Sequence, residues 1–370
     1  MWVYLLLAAG LFMGWSLGTN DAANAFGTAV STGVVKYRTA VTIIALLVLV
    51  GAVAMGDTNI GKLSDLAVSN EVSFSTDDLQ VFGDLTNPTV QKSMVLKSAL
   101  RAAIIFAAAA LTVFIMSYLK MPVSANQSII GAVIGWGLCY ADYGNPAIRN
   151  PNLKELLEFA STWIISPLGA GIISFFMILL ANKLLIPRLS KLAAYDTMVK
   201  VGYLIAGAFA SFSIGMNSSA SVTAFYYDGV KDGVVTNLFS VDAFTGDFIT
   251  AARVTAVIGG IAIAVGVLTY SKKVMMTVGT SIAPLTQIEG FIVIIAMSLT
   301  IVLIGKIMQI PVSTSQAVVG AVVGAGLVKG RRNVNFGVFK NIGIAWISSP
   351  VCAGLITFAV AWATRFYFGA

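Results

Sequence analysis

MPVSANQSIIGAVIGWGL at residues 121–138 and IPVSTSQAVVGAVVGAGL at residues 310–327 align without a gap. Pro122, Ser124 and Gln127 stand over Pro311, Ser313 and Gln316, while Gly131, Gly135 and Gly137 stand over Gly320, Gly324 and Gly326. Duplication is the economical account. A weaker pair precedes each copy: GTNDAANAFG at 18–27 lies over GMNSSASVTA at 215–224, with Asn20 over Asn217 and Asp21 over Ser218. Around these segments run apolar stretches near 2–32 (broken near Gly18), 39–56, 98–119, 121–140, 155–182, 201–228 (broken near Gly215), 250–270, 287–306, 310–328 and 335–365. Each copy then holds five crossings, an odd number, so the second enters the bilayer from the opposite side. The expected fold is an all-α polytopic membrane protein with broken helices or re-entrant hairpins and both termini outside. Its two inverted-topology repeats occupy 1–183 and 201–370, joined by a cytoplasmic linker at 184–200.

Composition agrees with a membrane chain. Of 370 residues, 58% are hydrophobic and 11% charged, and the mean hydropathy is +0.88. Ten spans of about 20 residues use roughly 200, which leaves no room for a large soluble catalytic domain. The absence of histidine removes histidine-ligated metals, imidazole bases and histidine proton relays. Cys139 and Cys352 are too far apart in sequence for a CxxC motif and read as small buried hydrophobes. A net charge of +7 would point to nucleic acid in a soluble protein. Here it reports orientation: Lys36, Arg38, Lys120, Lys183, Arg188, Lys191, Lys200, Lys272, Lys273, Lys329, Arg331 and Arg332 fall on one side, with Asp196 their only acid. Asp57, Asp65, Glu71, Asp77, Asp78, Asp84, Asp142, Asp228, Asp232, Asp242 and Asp247 gather on the other. The N-terminal run MWVYLLLAAGLFMGW lacks a basic leader and reads as retained.

Polarity at membrane depth marks the candidate site. Once a helix restarts after Gly18, Asp21, Asn24 and Thr28 share one face. An ionised carboxylate there costs at least about 2.5 kcal/mol on insertion scales, and neither copy of either motif supplies a lysine or arginine to offset it. A bound cation is the expected partner. Carboxylate, amide and hydroxyl oxygens are hard ligands, suited to sodium or a proton over a soft transition metal. The alternative is a patch of small polar residues that bond across helices. In both PVSxxQ segments a proline precedes a restarting helix, so Ser124 and Ser313 fall at or near an N-cap. Free N–H groups and the positive end of the dipole there favour an anion. Gln127, Ser128 and Gln316 extend those faces. Neutral donors leave most of an oxyanion's charge uncompensated, so cations must enter with it. The glycines that follow form GxxxG pairs for close helix packing. GDTNIGK at 56–62 begins like a phosphate-binding nucleoside triphosphate loop. Position 63 is leucine where a hydroxyl should stand and no strand-to-helix frame surrounds it, so transport energy must come from an ion gradient.

GTNDAANAFGT, PVSANQSIIGA and PVSTSQAVVGA, spaced in this way over essentially the whole chain, resemble the inorganic phosphate transporter family of cation-coupled permeases. The resemblance implies a sodium-driven phosphate importer working by alternating access in the plasma membrane, not an enzyme. It assigns phosphate to Asn20, Asp21, Asn24, Ser124, Ala125, Asn126, Gln127, Ser128, Asn217, Ser218, Ser221, Ser313, Thr314, Ser315 and Gln316. Sodium falls to Asn20, Asp21, Asn24, Ser124, Gln127, Asn217, Ser313 and Gln316. Sodium is thus cargo, and no organic cofactor is implied. The partners are inorganic phosphate, sodium and the bilayer, with a homodimer as the candidate assembly and no nucleic acid. Ser218 and Ser221 depart from the family's usual aspartate and asparagine, which weakens the case for a second carboxylate site. Gln127 and Gln316 replace its histidines, which favours sodium over protons. The remaining alternatives are proton coupling, sulfate as cargo, an anion channel, and an intramembrane hydrolase, which would have only Asp21 and the boundary residue Glu289 to work with.

Overall fold

Apolar runs without room for water-bonded backbone must satisfy their amides internally, and helices do this within one segment. In the computed structural model the described residues are 2–56, 88–119, 121–140, 153–188, 192–231, 248–278 and 283–368, and their regular structure is entirely helical. In chain order the helices are α1 (Trp2–Ser31), α2 (Tyr37–Met55), α3 (Pro88–Tyr118), α4 (Ala125–Tyr140) and α5 (Leu153–Leu180). There follow α6 (Leu192–Lys231), α7 (Phe248–Tyr270), the short α8 (Lys272–Val278), α9 (Gln287–Met308), α10 (Thr314–Val328) and α11 (Phe336–Phe368). By length and composition, six helical stretches among the described residues can cross a membrane: Tyr37–Met55, Leu100–Tyr118, Leu156–Arg188, Ala193–Thr223, Gln287–Met308 and Phe336–Arg365. This is a multi-pass membrane protein.

Two sequence expectations change. Helix α1 runs unbroken through Gly18, and α6 through Gly215. Those glycines are notches for another backbone: a Cβ on Gly18 would lie 2.0 Å from the Ile263 carbonyl oxygen, and one on Gly215 would lie 2.1 Å from that of Val48. The interruptions fall instead before the PVSxxQ helices. Residues 121–124 are non-helical ahead of α4, and Gln309, at φ 54°, ends α9 in the left-handed region ahead of Pro311. Helices α4 and α10 hold only 16 and 15 residues, short of the roughly 20 a full crossing needs. Within the interval 184–200, residues 184–188 continue in π- and 3-10-helical turns and Leu192 onward is α-helical. Most of the acidic loop residues, Lys120, Lys191 and nearly all of GDTNIGK lie outside the described residues.

The two GxxxG helices pack on the opposite copy of the duplication. A Cβ on Gly131 would sit 2.1 Å from the Pro350 carbonyl oxygen, and one on Gly135 would sit 2.1 Å from that of Gly354, placing α4 against α11. Gly320 and Gly324 meet the Pro167 and Gly171 carbonyls at the same 2.1 Å, placing α10 against α5. The receiving surfaces are themselves repeats, WIISPLGAGIISF at 163–175 and WISSPVCAGLITF at 346–358, a correspondence that the polar motifs do not signal. Each has a proline inside its helix. Because the neighbour at each glycine is backbone, a methyl cannot be accommodated by a side-chain rotation. Gly320→Ala is expected to cost about 1–3 kcal/mol, read as a lowered unfolding temperature in detergent; an unchanged value would refute the close fit.

Candidate functional site

The restarted helices set the site. At α10 the hydroxyl of Ser313 accepts from the backbone N–H of Gln316 (3.2 Å), and at α4 Ser124 does the same for Gln127 (3.4 Å). Both serines are N-caps, as their place between proline and an apolar run predicts. The two helix starts also reach each other. Asn126 at the head of α4 donates to the Val312 carbonyl (3.3 Å), while Ser315 at the head of α10 donates to that of Val123 (3.0 Å). Replacing either serine by alanine leaves an N–H without its cap, a cost of about 0.5–2 kcal/mol. Ser124→Ala and Ser313→Ala are expected to raise the phosphate concentration for half-maximal uptake several-fold; unchanged values in both would reduce these ends to structural caps.

Asp21 is the charged centre of this assembly. It is 4% exposed and sits in the middle of α1. Thr314 donates to its Oδ1 (2.9 Å), Ser218 of α6 donates to its Oδ2 (3.2 Å), and the Asn24 amide approaches Oδ1 at 3.3 Å. These three partners are all neutral. The same Asn24 amide lies 3.2 Å from the Thr314 hydroxyl and 3.3 Å from that of Ser315. One carboxylate thereby ties α1, α6 and α10 together through side chains whose oxygens are hard ligands.

The asparagines flanking it have different tasks. Asn217 clamps the chain before α10, donating to the Val312 carbonyl (2.8 Å) and accepting from the Val312 N–H (2.7 Å). Asn20 donates to the Ser117 hydroxyl (2.9 Å) and approaches the Met121 carbonyl (3.4 Å), with Ser315 3.5 Å from its oxygen. Ser221 donates to Asn126. Ser128 turns its hydroxyl back to the Ser124 carbonyl (3.3 Å), and Ala125 offers no polar side chain. Three buried amide oxygens, on Asn24, Gln127 and Gln316, have no hydrogen-bond donor among the described residues. Buried acceptors of this kind ordinarily find one.

The structure thus gathers Asn20, Asp21, Asn24, Ser218, Thr314 and Ser315 into one hydrogen-bonded group and Asn126, Asn217 and Ser221 into a second, joined through Val312, bounded by the caps Ser124 and Ser313. Sequence reasoning missed Ser117 and the backbone of Val123 and Val312. Ser117 is a buried hydroxyl late in an apolar helix; the valines bear no polar side chain to betray them. Thr28 is on α1 but is not among the groups that bond Asp21. Glu289 is buried at the head of α9, where its carboxylate accepts from the Thr286 N–H (2.7 Å) and pairs with Lys329 (2.6 Å). It is committed to a cap and an ion pair, remote in role from a catalytic dyad.

Comparison with known proteins bears on this geometry. The family described as the phosphate transporter family matches residues 17–203 and 188–357. A provisionally named phosphate permease of Pyrococcus abyssi is 26% identical, covering 98% of both chains. Another from Methanocaldococcus jannaschii is 26% identical over 97% of this chain and 96% of its own. A solved structure, described as that of "The sodium-dependent phosphate transporter", has the same fold, with TM-score 0.71, 24% identity and 99% of each chain covered.

Proposed function

We propose, since this chain belongs to the phosphate transporter family and is a transporter rather than an enzyme, that it imports inorganic phosphate with sodium by alternating access. The observation that carries the reading is Asp21, a carboxylate, buried inside a membrane protein, whose bonded partners are all neutral. A charge so placed is unfavourable unless a cation joins it. Sodium suits the oxygen-only donors around it, and the like-folded transporter, itself described as sodium-dependent, supports sodium as the driving ion. The phosphate comes to the opposed starts of α4 and α10, where capped helix ends and neutral donors favour an oxyanion. Cation and anion then offset each other within one pocket, so that neither is readily carried alone.

The duplicated motifs supply the moving parts in this reading. The repeats face opposite sides of the bilayer, both termini lie outside, and the two halves exchange roles as the pocket opens inward or outward across the plasma membrane. Liposomes holding the purified protein test this. A sodium gradient should concentrate labelled phosphate, and choline in place of sodium should stop accumulation. Equal accumulation in choline with no pH difference would overturn sodium coupling. Saturable uptake against a phosphate gradient separates a carrier from a channel, and labelled sulfate tested in parallel identifies the cargo.

A further inference from the structure

The duplicated motifs meet at two junctions, and the two are chemically unequal. At the first, the Asn24 amide donates to Ser315 (3.3 Å), whose hydroxyl donates to the Val123 carbonyl (3.0 Å). At the second, the repeat-related residues are Ser221, Asn126 and the carbonyl of Val312. Ser221 donates to the Asn126 oxygen, and Asn126 donates to Val312 (3.3 Å). Amide and hydroxyl have changed places, yet the connection persists. The neutral part of the machinery is therefore present twice.

The charged part is present once. Asp21 is served by Thr314 at 2.9 Å; the positions related to them by the repeat are Ser218 and Ala125, a hydroxyl and a methyl. The second junction lacks both the carboxylate and the hydroxyl that would serve it. Ser218 instead donates across to Asp21 Oδ2 (3.2 Å), so the second copy's residues occupy both oxygens of the first copy's acid. The other buried acid among the described residues, Glu289, is held by Lys329 (2.6 Å) and the Thr286 N–H (2.7 Å).

We propose that the carrier takes one sodium ion per phosphate, at the Asp21 junction, and that the Ser218 junction binds none. This rests on the sodium-coupled phosphate reading above. A sodium at the Asp21 junction has a carboxylate as countercharge, whereas one at the repeat-related positions Ser218 and Ala125 would have only neutral side chains and the charge of the phosphate itself. The empty site then carries one negative charge. Loaded with one sodium and a singly charged dihydrogen phosphate it carries one again, so the moving part has the same charge in both directions. Transport of that form is electrically silent.

Equilibrium sodium binding to the purified protein in nanodiscs with saturating phosphate tests the count. One saturable site per chain is expected, lost in Asp21→Asn, and the flux ratio of labelled sodium to phosphate in liposomes is expected to be unity. The paired variant Ser218→Asp with Ala125→Thr, which supplies both missing groups, is expected to bind two; should it fail to fold, the count on the unmodified protein decides. Two saturable sites in the unmodified protein would overturn the proposal and leave sodium-driven uptake standing. One site in a protein that shows no sodium-driven phosphate uptake would overturn the functional reading and leave the single site standing. No saturable site would overturn the single-site proposal.

Discussion

Asp21→Asn is expected to abolish sodium-driven phosphate accumulation while the protein stays folded in the membrane. The substitution keeps size and shape, and the remaining amide oxygen can still accept from Thr314 or Ser218, which now bond the two carboxylate oxygens at 2.9 and 3.2 Å. What disappears is the negative charge. Its removal takes from the cation an interaction on the order of 3 kcal/mol, comparable to the cost of inserting a carboxylate into a bilayer, or roughly a hundredfold in sodium affinity. The fold loses nothing similar, because an uncompensated buried charge destabilises the apo protein. Sodium titration of phosphate uptake in liposomes, beside the unfolding temperature in detergent, separates the two effects. Wild-type sodium activation in the variant would remove Asp21 from the mechanism; a collapsed unfolding temperature would make it a structural residue.

The second large effect is expected at Asn217. Its side chain satisfies both backbone groups of Val312, at 2.7 and 2.8 Å, in the non-helical segment that leads into α10. In Asn217→Ala the Val312 carbonyl retains Asn126 as a donor (3.3 Å), but its N–H loses the partner the structure gives it. A buried group stranded in this way costs about 1–3 kcal/mol, and the loss falls on the segment that positions Ser313 and Thr314. Phosphate uptake is expected to drop at least tenfold and the unfolding temperature by several degrees. Asn20→Ala is the control, since Asn20 bonds a hydroxyl and a distant carbonyl instead of clamping one residue twice. Equal falls in unfolding temperature in the two variants would show that the clamp has no special role.

The parts of the site that were readable from sequence are those governed by neighbours along the chain. A serine between a proline and an apolar run is an N-cap in almost any setting, and Ser124 and Ser313 are both found capping. Asp21 stood out because an acid amid apolar residues needs a reason. At Gly18 and Gly215 the sequence misleads, because a glycine that admits a backbone and one that ends a helix look alike; the neighbours that distinguish them, Ile263 and Val48, lie far away along the chain. The exchange of amide and hydroxyl between Asn24 with Ser315 and Ser221 with Asn126 was equally hidden. Each substitution viewed alone is a departure from symmetry, and only spatial pairing reveals that it is matched. The Val312 backbone offers no side-chain signal at all.

The crossed seating of the glycine helices also bears on how such a chain is made. While the ribosome is still translating the second copy, α4 has no α11 to receive Gly131 and Gly135, and α5 waits with a proline-notched face for α10. The nascent first half must therefore linger in the bilayer with two grooved surfaces covered only by lipid. Completion comes when the last helix leaves the translocon. Two fragments divided between α5 and α6 and synthesised together should consequently find each other, because each holds the surface that the other lacks.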